Sequence, residues 1–457
     1  MEIQIEYTSR GYSLSITGPA WNAEPCEIRF PEEVWASFPA KETMRNELAY
    51  ITTLVPPLIL KHPTVWYSTP KPRFLNFYEE CFELAIPNMV ELIPAEESGD
   101  ILERFRSILR HFPGESTRKE MKRLDSWNPR RVILPFTFGK DSLLSLATLR
   151  NLGYEVIPVN IDERVLPRFK AMRVSLKKQL AEEYGLTCSL VENEIQLLSD
   201  WQVLEQPVTR LHQVHIFFIY LFAMIPFCTY YRAPTIVLSN EYENTLNTVH
   251  RGGHLSPHKI MQGHMISQRL GRVAEQFSGG QITAVNLIGI LDNFSIHRIL
   301  HEEFPAYGKY RVTCNMELSE YSRWCHDCYR CAQPFIYFMA LGRDPFSMGF
   351  EASMLEEDKK SLYSLFRQAI HPKDDFHRFV RDEESLAFLM AHRRGAKGPL
   401  MDCFEKEFLR DTEKREAKLE EKVFRLQAKP GRSRVEREAA GLYQDFLAKY
   451  RLRKTRS

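Results

Sequence analysis

The sequence lacks the marks of secreted, membrane-spanning and strongly charged proteins. Its start, MEIQIEY, has neither the basic residues nor the apolar segment of a signal peptide. The most apolar run, HIFFIYLFAMIPFCT at residues 215–229, is short for a membrane span, and a buried helix is expected there. With 61 Lys and Arg against 59 Asp and Glu, the net charge of +2 provides no global field for nucleic acid or a membrane surface. We therefore expect a cytoplasmic protein that requires neither.

Cysteine is also sparse, with nine residues in a chain of 457. In a cytosolic chain of this size, isolated cysteines are typical of reduced thiols in the core, whereas clustered ones indicate a metal. Four cysteines lie within residues 314–331, which indicates a metal site. The other five are isolated: Cys26, Cys81, Cys188, Cys228 and Cys403.

The sequence pattern divides the chain into three regions and contains no internal repeat. Residues 1–125 contain the strand-like segments EIQIEY, YSLSIT and CEIRF and a helical pattern at 98–112, which predict a smaller α+β domain. Residues 126–345 alternate strands with helices, which predicts an α/β domain with a doubly wound, mainly parallel sheet. Residues 346–457 contain the helix-forming sequence EKEFLRDTEKREAKLEEKVFRLQ and a basic end, which predict a charged helical region.

The sequence VILPFTFGKDS joins the first predicted strand of the α/β region to a helix. Backbone N–H groups at such a turn form an anion-binding nest, which the helix dipole reinforces. Gly139 permits a close approach of the backbone, and the hydroxyls of Thr137 and Ser142 can donate to phosphate oxygens. Lys140 adds a positive charge, and Asp141 could hold Mg²⁺ or orient the loop. The turn indicates a phosphate site; a glycine-containing turn with simple helix capping is the alternative.

The residues TFGKDS resemble the SGGxDS signature of the PP-loop ATP pyrophosphatases. Thr137 replaces the usual Ser and keeps the hydroxyl, whereas Phe138 replaces the first Gly. In that family the loop grips the pyrophosphate of ATP while the α-phosphate is attacked. The resemblance implies ATP and Mg²⁺ as cofactors, an ATP-binding loop from Thr137 to Ser142, and Lys140 and Asp141 as catalytic residues.

Polar residues at the ends of two later predicted strands extend the candidate site. In PP-loop enzymes the second strand ends near the adenosine, which implies ATP contacts for Asn160 and Asp162 in VNIDE. Asn240 and Glu241 follow the predicted strand TIVL at the side of a parallel sheet where ligands bind. They are candidates for contacts with substrate or Mg²⁺. Ordinary capping of the following turn is the alternative for all four residues.

Four clustered cysteines form a C-x10-C-x2-C-x2-C array: Cys314, Cys325, Cys328 and Cys331. Four thiolates on short loops can complete a tetrahedral shell around Zn²⁺. An iron–sulfur cluster, which also uses closely spaced cysteines, and four unliganded thiols are the alternatives. We predict a structural zinc knuckle.

A PP-loop followed by a four-cysteine knuckle resembles 7-cyano-7-deazaguanine synthase over residues 131–345. That family activates a deazapurine carboxylate with ATP, converts it to an amide with ammonia and dehydrates the amide to a nitrile. Its larger relatives include proteins of bacterial anti-phage islands and a glutamate epimerase that acts on a peptide precursor. In the synthases, an arginine-containing segment before the apolar helix helps to hold the substrate, which implies that role for Arg210.

The resemblance implies an ATP-dependent ligase that adenylates a carboxylate similar to 7-carboxy-7-deazaguanine and passes the acyl group to an amine or ammonia. Its expected partner is this small-molecule carboxylate; a protein acceptor, a homodimer and a role in anti-phage defence are left open. Two alternative functions also stay open. One is an ATP-dependent epimerase of a glutamyl cell-wall precursor, and the other is a nucleotide-binding subunit without catalytic activity.

Overall fold

A computed structural model of the chain describes residues 1–18, 24–90, 97–115, 121–163, 167–195, 198, 216–312 and 323–452. Two of the predicted site residues, Arg210 and Cys314, lie outside these ranges. The chain is organised in two compact units. The first comprises residues 1–137, 153–238 and 249–286, and the second comprises residues 138–152, 239–248 and 287–457. The three contiguous regions expected from the sequence stay a prediction.

Strands form where side chains alternate between apolar and polar or where β-branched residues are continuous. In the first strand, for example, Ile3 and Ile5 are buried while Glu2, Gln4 and Glu6 are exposed. The described strands are β1 (Glu2–Thr8), β2 (Gly11–Thr17), β3 (Cys26–Arg29), β4 (Thr64–Tyr67), β5 (Leu109–His111), β6 (Arg131–Pro135), β7 (Glu155–Glu163), β8 (Ser189–Asn193), β9 (Thr235–Leu238), β10 (Asn247–Val249), β11 (Leu255–Pro257) and β12 (Thr283–Asn286).

Helices occupy both units. Those described are α1 (Glu32–Ser37), α2 (Lys41–Ile51), α3 (Pro56–Ile59), α4 (Leu75–Val90), α5 (Ser98–Ser107), α6 (Lys140–Asn151), α7 (Pro167–Tyr184), α8 (Ile216–Tyr231), α9 (His264–Ser278), α10 (Asn293–Glu302), α11 (Pro305–Gly308), α12 (Tyr329–Ala340), α13 (Asp375–Arg393), α14 (Pro399–Glu407), α15 (Leu409–Val423) and α16 (Arg434–Leu452). The apolar run forms the buried helix α8, as predicted. Within the described ranges, no helix combines the length and apolar character needed to cross a membrane.

The first unit contains a ten-stranded sheet in the order β12-β9-β6-β7-β8-β3-β2-β1-β4-β5. Six neighbouring pairs are parallel, and the three pairs from β8 to β1 are antiparallel. The predicted α/β class with a mainly parallel sheet is therefore confirmed.

The strand order reverses beside β6. From this strand the chain continues through β7 and β8 on one side, and it then returns to form β9 and β12 on the other side. In parallel sheets of this kind, ligands bind at the carboxyl ends of the strands where the order reverses. The segments that follow β6 and β9 are the ones that contain Lys140 and Glu241.

The N-terminal strands continue the same sheet. Strand β3 pairs with β8 through Ile28 opposite Asn193 and Arg29 opposite Glu192. Because this ladder is short, side chains add to it: the Arg29 guanidinium donates to Glu192 Oε2 and to Glu194 Oε1, each at 2.8 Å. The Glu194 carboxylate also accepts from the N–H of Glu27 at 3.2 Å. Charged hydrogen bonds thus support the connection between the antiparallel and parallel parts.

The helical pattern at residues 98–112 is only partly correct. Helix α5 ends at Ser107, and Leu109–His111 forms the edge strand β5, parallel to β4. The imidazole of His111 stacks on Trp66 of β4 with ring centroids 3.9 Å apart. Pairing with the sheet therefore overrides the local helical pattern. A short stretch of sequence does not contain the partner strand and so cannot predict this pairing.

In the second unit, helix α6 is covered by the C-terminal helix. The Tyr443 hydroxyl of α16 donates to Thr148 Oγ1 of α6 at 3.0 Å, and both side chains are buried. The charged sequence expected to form one helix at 405–427 is divided at Phe408 between α14 and α15. The C-terminal region thus packs against the helix that begins at the predicted ATP loop.

Replacing Arg29 by Met should lower the free energy of unfolding by about 1–2 kcal/mol, because a quarter-exposed guanidinium loses its carboxylate partners. The matched control is Arg106→Met, which removes a 2.8 Å pair with Glu83 where the arginine is 60% exposed. That change should lower the free energy of unfolding much less than Arg29→Met does, because water already solvates the exposed pair. Urea unfolding measures both values. Equal losses would show that the Arg29 cluster contributes no more than an ordinary surface pair.

Candidate functional site

The predicted ATP loop leads directly from β6 into α6. Gly139 precedes the helix in an extended conformation, with φ −72° and ψ 159°, and the helix begins at Lys140. The Ser142 hydroxyl donates to the Gly139 carbonyl at 3.2 Å. The first backbone N–H groups of α6 lack carbonyl partners within the helix and carry its positive dipole end, which suits them to an anion.

Phe138 occupies the left-handed region of backbone space, with φ +61°. This conformation favours glycine, and it is the position at which the PP-loop signature has its first Gly. The phenyl ring is fully buried, and the Phe138 carbonyl accepts from the N–H of Val312 at 2.8 Å. Side-chain packing and this backbone bond thus hold a turn that glycine would adopt without strain.

Lys140, Asp141 and Glu241 form the charged centre of the site. Lys140 Nζ lies 2.6 Å from Asp141 Oδ1 and also contacts Glu241 Oε2. The side chains of Lys140 and Glu241 are 9% and 17% exposed, whereas that of Asp141 is 32% exposed. The loops after β6 and β9 therefore bring one ammonium and two carboxylates together, with Asp141 nearest to solvent.

Electrostatics couple these groups. Burial alone would lower the pKa of Lys140, but the charges of Asp141 and Glu241 outweigh burial and raise that pKa. Burial raises the pKa of Asp141, and the Glu241 carboxylate adds to this effect while Lys140 opposes it. The ammonium is thus firmly charged, and the carboxylates compete for it.

Arg311 is a site residue that the sequence analysis missed. It is 1% exposed, and burial lowers its pKa to about 9 against the opposing charges of Asp141, Cys331 and Glu241. Its guanidinium donates to His297 Nε2. Since arginine can only donate, Nε2 of His297 must be the accepting nitrogen, which places the ring proton on Nδ1. Nothing in the local sequence YRVT marks this arginine as buried.

The other predicted contacts are placed as follows. Thr137 is exposed and belongs to the first unit. Asn160 and Asp162, also in that unit, lie within β7 rather than after it. Asn160 is buried, donates to the Phe136 carbonyl at 2.9 Å and accepts from Lys177 Nζ at 3.1 Å. Asn240 is buried immediately before Glu241 in the second unit.

Three of the four predicted zinc ligands converge at the start of α12. The Sγ separations are 3.3 Å for Cys325–Cys328, 3.7 Å for Cys325–Cys331 and 3.6 Å for Cys328–Cys331. Sulfurs bound tetrahedrally to Zn²⁺ at about 2.3 Å lie about 3.8 Å apart, so the cluster could bind a metal such as zinc. The Asp327 N–H donates to Cys325 Sγ at 3.5 Å, which would stabilise a thiolate.

His326 lies inside the cysteine knuckle, and its side chain binds the backbone of a later segment. It has φ +57°, and its Nε2 accepts from the N–H of Glu351 at 3.0 Å. One imidazole nitrogen is therefore engaged with the backbone of Glu351.

Chemically, the centre can bind a phosphate together with a hard divalent cation. Carboxylate oxygens are the ligands that Mg²⁺ prefers, and an ammonium beside a helix N-terminus favours a polyphosphate. Comparison with known proteins adds no identification: no protein-family model and no curated protein sequence matches the chain.

Two replacements of Phe138 test the left-handed turn. Both Phe138→Ala and Phe138→Gly lose the buried ring, which should cost about 3–5 kcal/mol. Because glycine tolerates φ +61°, the Gly variant should be more stable, with a free energy of unfolding about 1 kcal/mol larger than that of the Ala variant. Chemical denaturation compares them. An Ala variant as stable as the Gly variant would contradict the left-handed conformation.

Replacing Cys328 by Ser should reduce bound zinc at least about tenfold, because one thiolate of the shell is lost. The control is Cys403→Ser, a thiol of intermediate exposure outside the cluster, which should retain the metal content of the parent chain. Elemental mass spectrometry of the purified proteins gives the stoichiometry. Equal zinc in both variants, or none in the parent, would overturn the assignment of the cluster to zinc.

Proposed function

We propose that the protein is a PP-loop ATP pyrophosphatase that activates a carboxylate, similar to 7-carboxy-7-deazaguanine, with release of pyrophosphate. The observation that carries the proposal is the convergence of Lys140, Asp141 and Glu241 on loops that follow the adjacent strands β6 and β9. Counted from β6, the parallel strands have the order 5-4-1-2-3, which is also the order of doubly wound nucleotide-binding sheets.

The charges suggest a distinct role for each residue. Lys140 would bind phosphate oxygens and balance the charge that develops on the departing pyrophosphate. Asp141 and Glu241 would hold Mg²⁺, whose charge frees Lys140 from its two carboxylates. The N–H groups at the start of α6 would bind the same polyphosphate. The buried charge of Arg311 would limit the repulsion between Asp141 and Glu241.

The proposed reaction needs no protein nucleophile. A substrate carboxylate oxygen attacks the α-phosphorus, the bond to the β-phosphate oxygen breaks, and pyrophosphate leaves. An amine or ammonia then attacks the acyl carbon, and AMP departs with the bonding electron pair. The substrate, the acceptor and the cytoplasmic setting of this reaction all belong to the proposal.

The test is pyrophosphate release from ATP and Mg²⁺ with 7-carboxy-7-deazaguanine, followed by mass spectrometry of the products. Asp141→Asn and Glu241→Gln should each lower the rate about 100-fold or more, because each removes a charge from the centre while preserving shape. Asp358→Asn is the control, since Asp358 is 68% exposed and pairs with Lys359. Its rate should equal that of the parent chain.

Three results would contradict this assignment. Unchanged turnover in Asp141→Asn would remove the proposed centre from the reaction. Pyrophosphate release only with a glutamyl peptide, together with deuterium uptake at its α-carbon, would establish the epimerase. Tight ATP binding without pyrophosphate release for any carboxylate would establish a nucleotide-binding subunit.

A further inference from the structure

A second group of acidic side chains is buried in the second unit: Glu243, Asp292 and Glu383. One carboxylate oxygen from each lies within 4.8 Å of those of the other two. The three residues are 2%, 0% and 0% exposed. They come from separate segments, namely the turn after β9, the start of α10 and the middle of α13. Such a concentration of buried acid requires a source of positive charge or of protons.

Three successive backbone N–H groups at the start of α10 each hold one of these carboxylates. The N–H of Asn293 donates to Glu243 Oε1, that of Phe294 to Glu383 Oε1 at 2.9 Å, and that of Ser295 to Asp292 Oδ1 at 2.7 Å. One oxygen of every carboxylate is thereby fixed by the backbone. The geometry of the cluster is therefore built into the helix terminus, which contributes only about half a positive charge.

The opposite oxygens are poorly satisfied. Glu243 Oε2 and Glu383 Oε2 are buried and receive no hydrogen bond from a donor within the described residues, and the carboxyl groups of Glu243 and Glu383 lie within hydrogen-bond reach of each other. Asp292 Oδ2 accepts from the Ser295 hydroxyl at 2.8 Å and from Gln427 Nε2 at 3.2 Å. No described lysine, arginine or histidine forms an ion pair with any of the three. The described residues thus supply a donor to one oxygen of each carboxylate and to both oxygens of Asp292, and they leave the second oxygens of Glu243 and Glu383 without a donor.

An independent observation comes from Tyr337 of α12. This residue is fully buried, and its hydroxyl has no partner in the part of the chain that the structure describes. Its ring stacks on Phe294, whose N–H holds Glu383, with centroids 4.5 Å apart. Burial raises the pKa of Tyr337, and the charges of Glu383, Glu384, Glu243 and Asp292 add to this effect. Tyr337 thus places a buried oxygen without a described partner on the ring that packs against Phe294, at the helix terminus that holds the acids.

Protons are the competing way to neutralise the cluster. Burial raises the pKa of Glu243 and of Glu383 well above the usual range, and it raises the pKa of Asp292 to about 6. A shared proton, however, serves a single pair of oxygens. A cation serves several at once, including the hydroxyl of Tyr337 and the buried Oδ1 of Asn293, which also has no described partner.

We propose that Glu243, Asp292 and Glu383 form a second metal centre, which binds a hard divalent cation of the Ca²⁺ type. Carboxylate and hydroxyl oxygens are ligands for such cations, and an enclosed cage of protein oxygens suits Ca²⁺ better than Mg²⁺, which retains its waters. The bound cation connects α10 and α13 to the turn that carries Glu241 two residues before Glu243. The centre is thus a positioning element, and its existence does not depend on the reaction proposed for Lys140 and Asp141.

Terbium is a suitable probe because it occupies Ca²⁺ sites and its emission is sensitised by nearby tyrosine. Full-length chain, freed of metal with a chelator, should bind Tb³⁺ with luminescence that Ca²⁺ displaces, and Asp141→Asn, in which the other carboxylate centre is disabled, should keep this signal. Glu383→Gln and Glu243→Gln should each weaken Tb³⁺ binding at least about 100-fold. The control is Glu384→Gln, since Glu384 is equally buried on the same helix but is satisfied by Leu365 N–H and Gln333. Its affinity should match that of the parent chain.

Thermal unfolding provides a second readout that does not use a probe ion. Calcium should raise the melting temperature of the parent chain and of Asp141→Asn, in which the other carboxylate centre is disabled, but not that of Glu383→Gln. Absence of Ca²⁺-displaceable luminescence in the parent chain would overturn the proposal. So would equal binding in Glu383→Gln and the parent, or a Glu383→Gln variant that is more stable than the parent at every Ca²⁺ concentration, which would establish shared protons.

Discussion

The reversal of strand order beside β6 is the constraint on which the candidate site depends. It makes β6 and β9 neighbours, so that Lys140 and Glu241, 101 positions apart in the sequence, follow adjacent strands. Each side chain comes only a few residues after its strand, which leaves the backbone little freedom to place it elsewhere. The contact between ammonium and carboxylate is thus a consequence of topology, and the loops need only the correct residue types.

Buried charge is expensive, and the second unit contains a large amount of it. Apolar residues of similar volume often replace a buried ion pair without loss of stability, so such groups are weak evidence for a structural role. Here Lys140, Arg311 and three further carboxylates are almost fully removed from water. Folding alone does not require these groups to lie together. Their concentration in one unit is typical of a centre that binds charged ligands.

The sequence predicts the parts of this structure whose causes are local. Alternating and β-branched segments give most strands, and the turn TFGKDS is found where a strand meets a helix. Strand β5 depends on pairing with β4, which no local window contains. Glu383, within RDEES, looks like the solvated face of a charged helix, and Asp292 looks like an ordinary helix cap, which it also is. Their common surroundings arise only when α10 and α13 pack together.

Phe138 shows the same division between local and long-range causes. The sequence reveals that glycine is absent from the turn, yet it does not reveal which conformation the phenylalanine takes. The structure keeps the left-handed backbone, because the buried ring and the bond from Val312 outweigh a strain of about 1 kcal/mol. A departure from a glycine signature therefore need not alter the path of the backbone. The left-handed conformation is then maintained by the packing around the residue and no longer by the conformational freedom of glycine.

Arg311, which precedes Val312 in the chain, lies electrostatically between the carboxylates of the candidate site and the cysteine cluster. The guanidinium packs against the rings of Trp324 and Phe338, at 5.6 and 5.8 Å from their centroids, and the charges of Asp141, Glu241 and Cys331 act on it together. A metal held by the cysteines would turn neutral thiols into thiolates and so increase the negative charge on one side of Arg311. The guanidinium would then be shared between thiolates and carboxylates. With a metal bound, the cysteine cluster would influence the carboxylates through charge as well as through the shape of the chain around it.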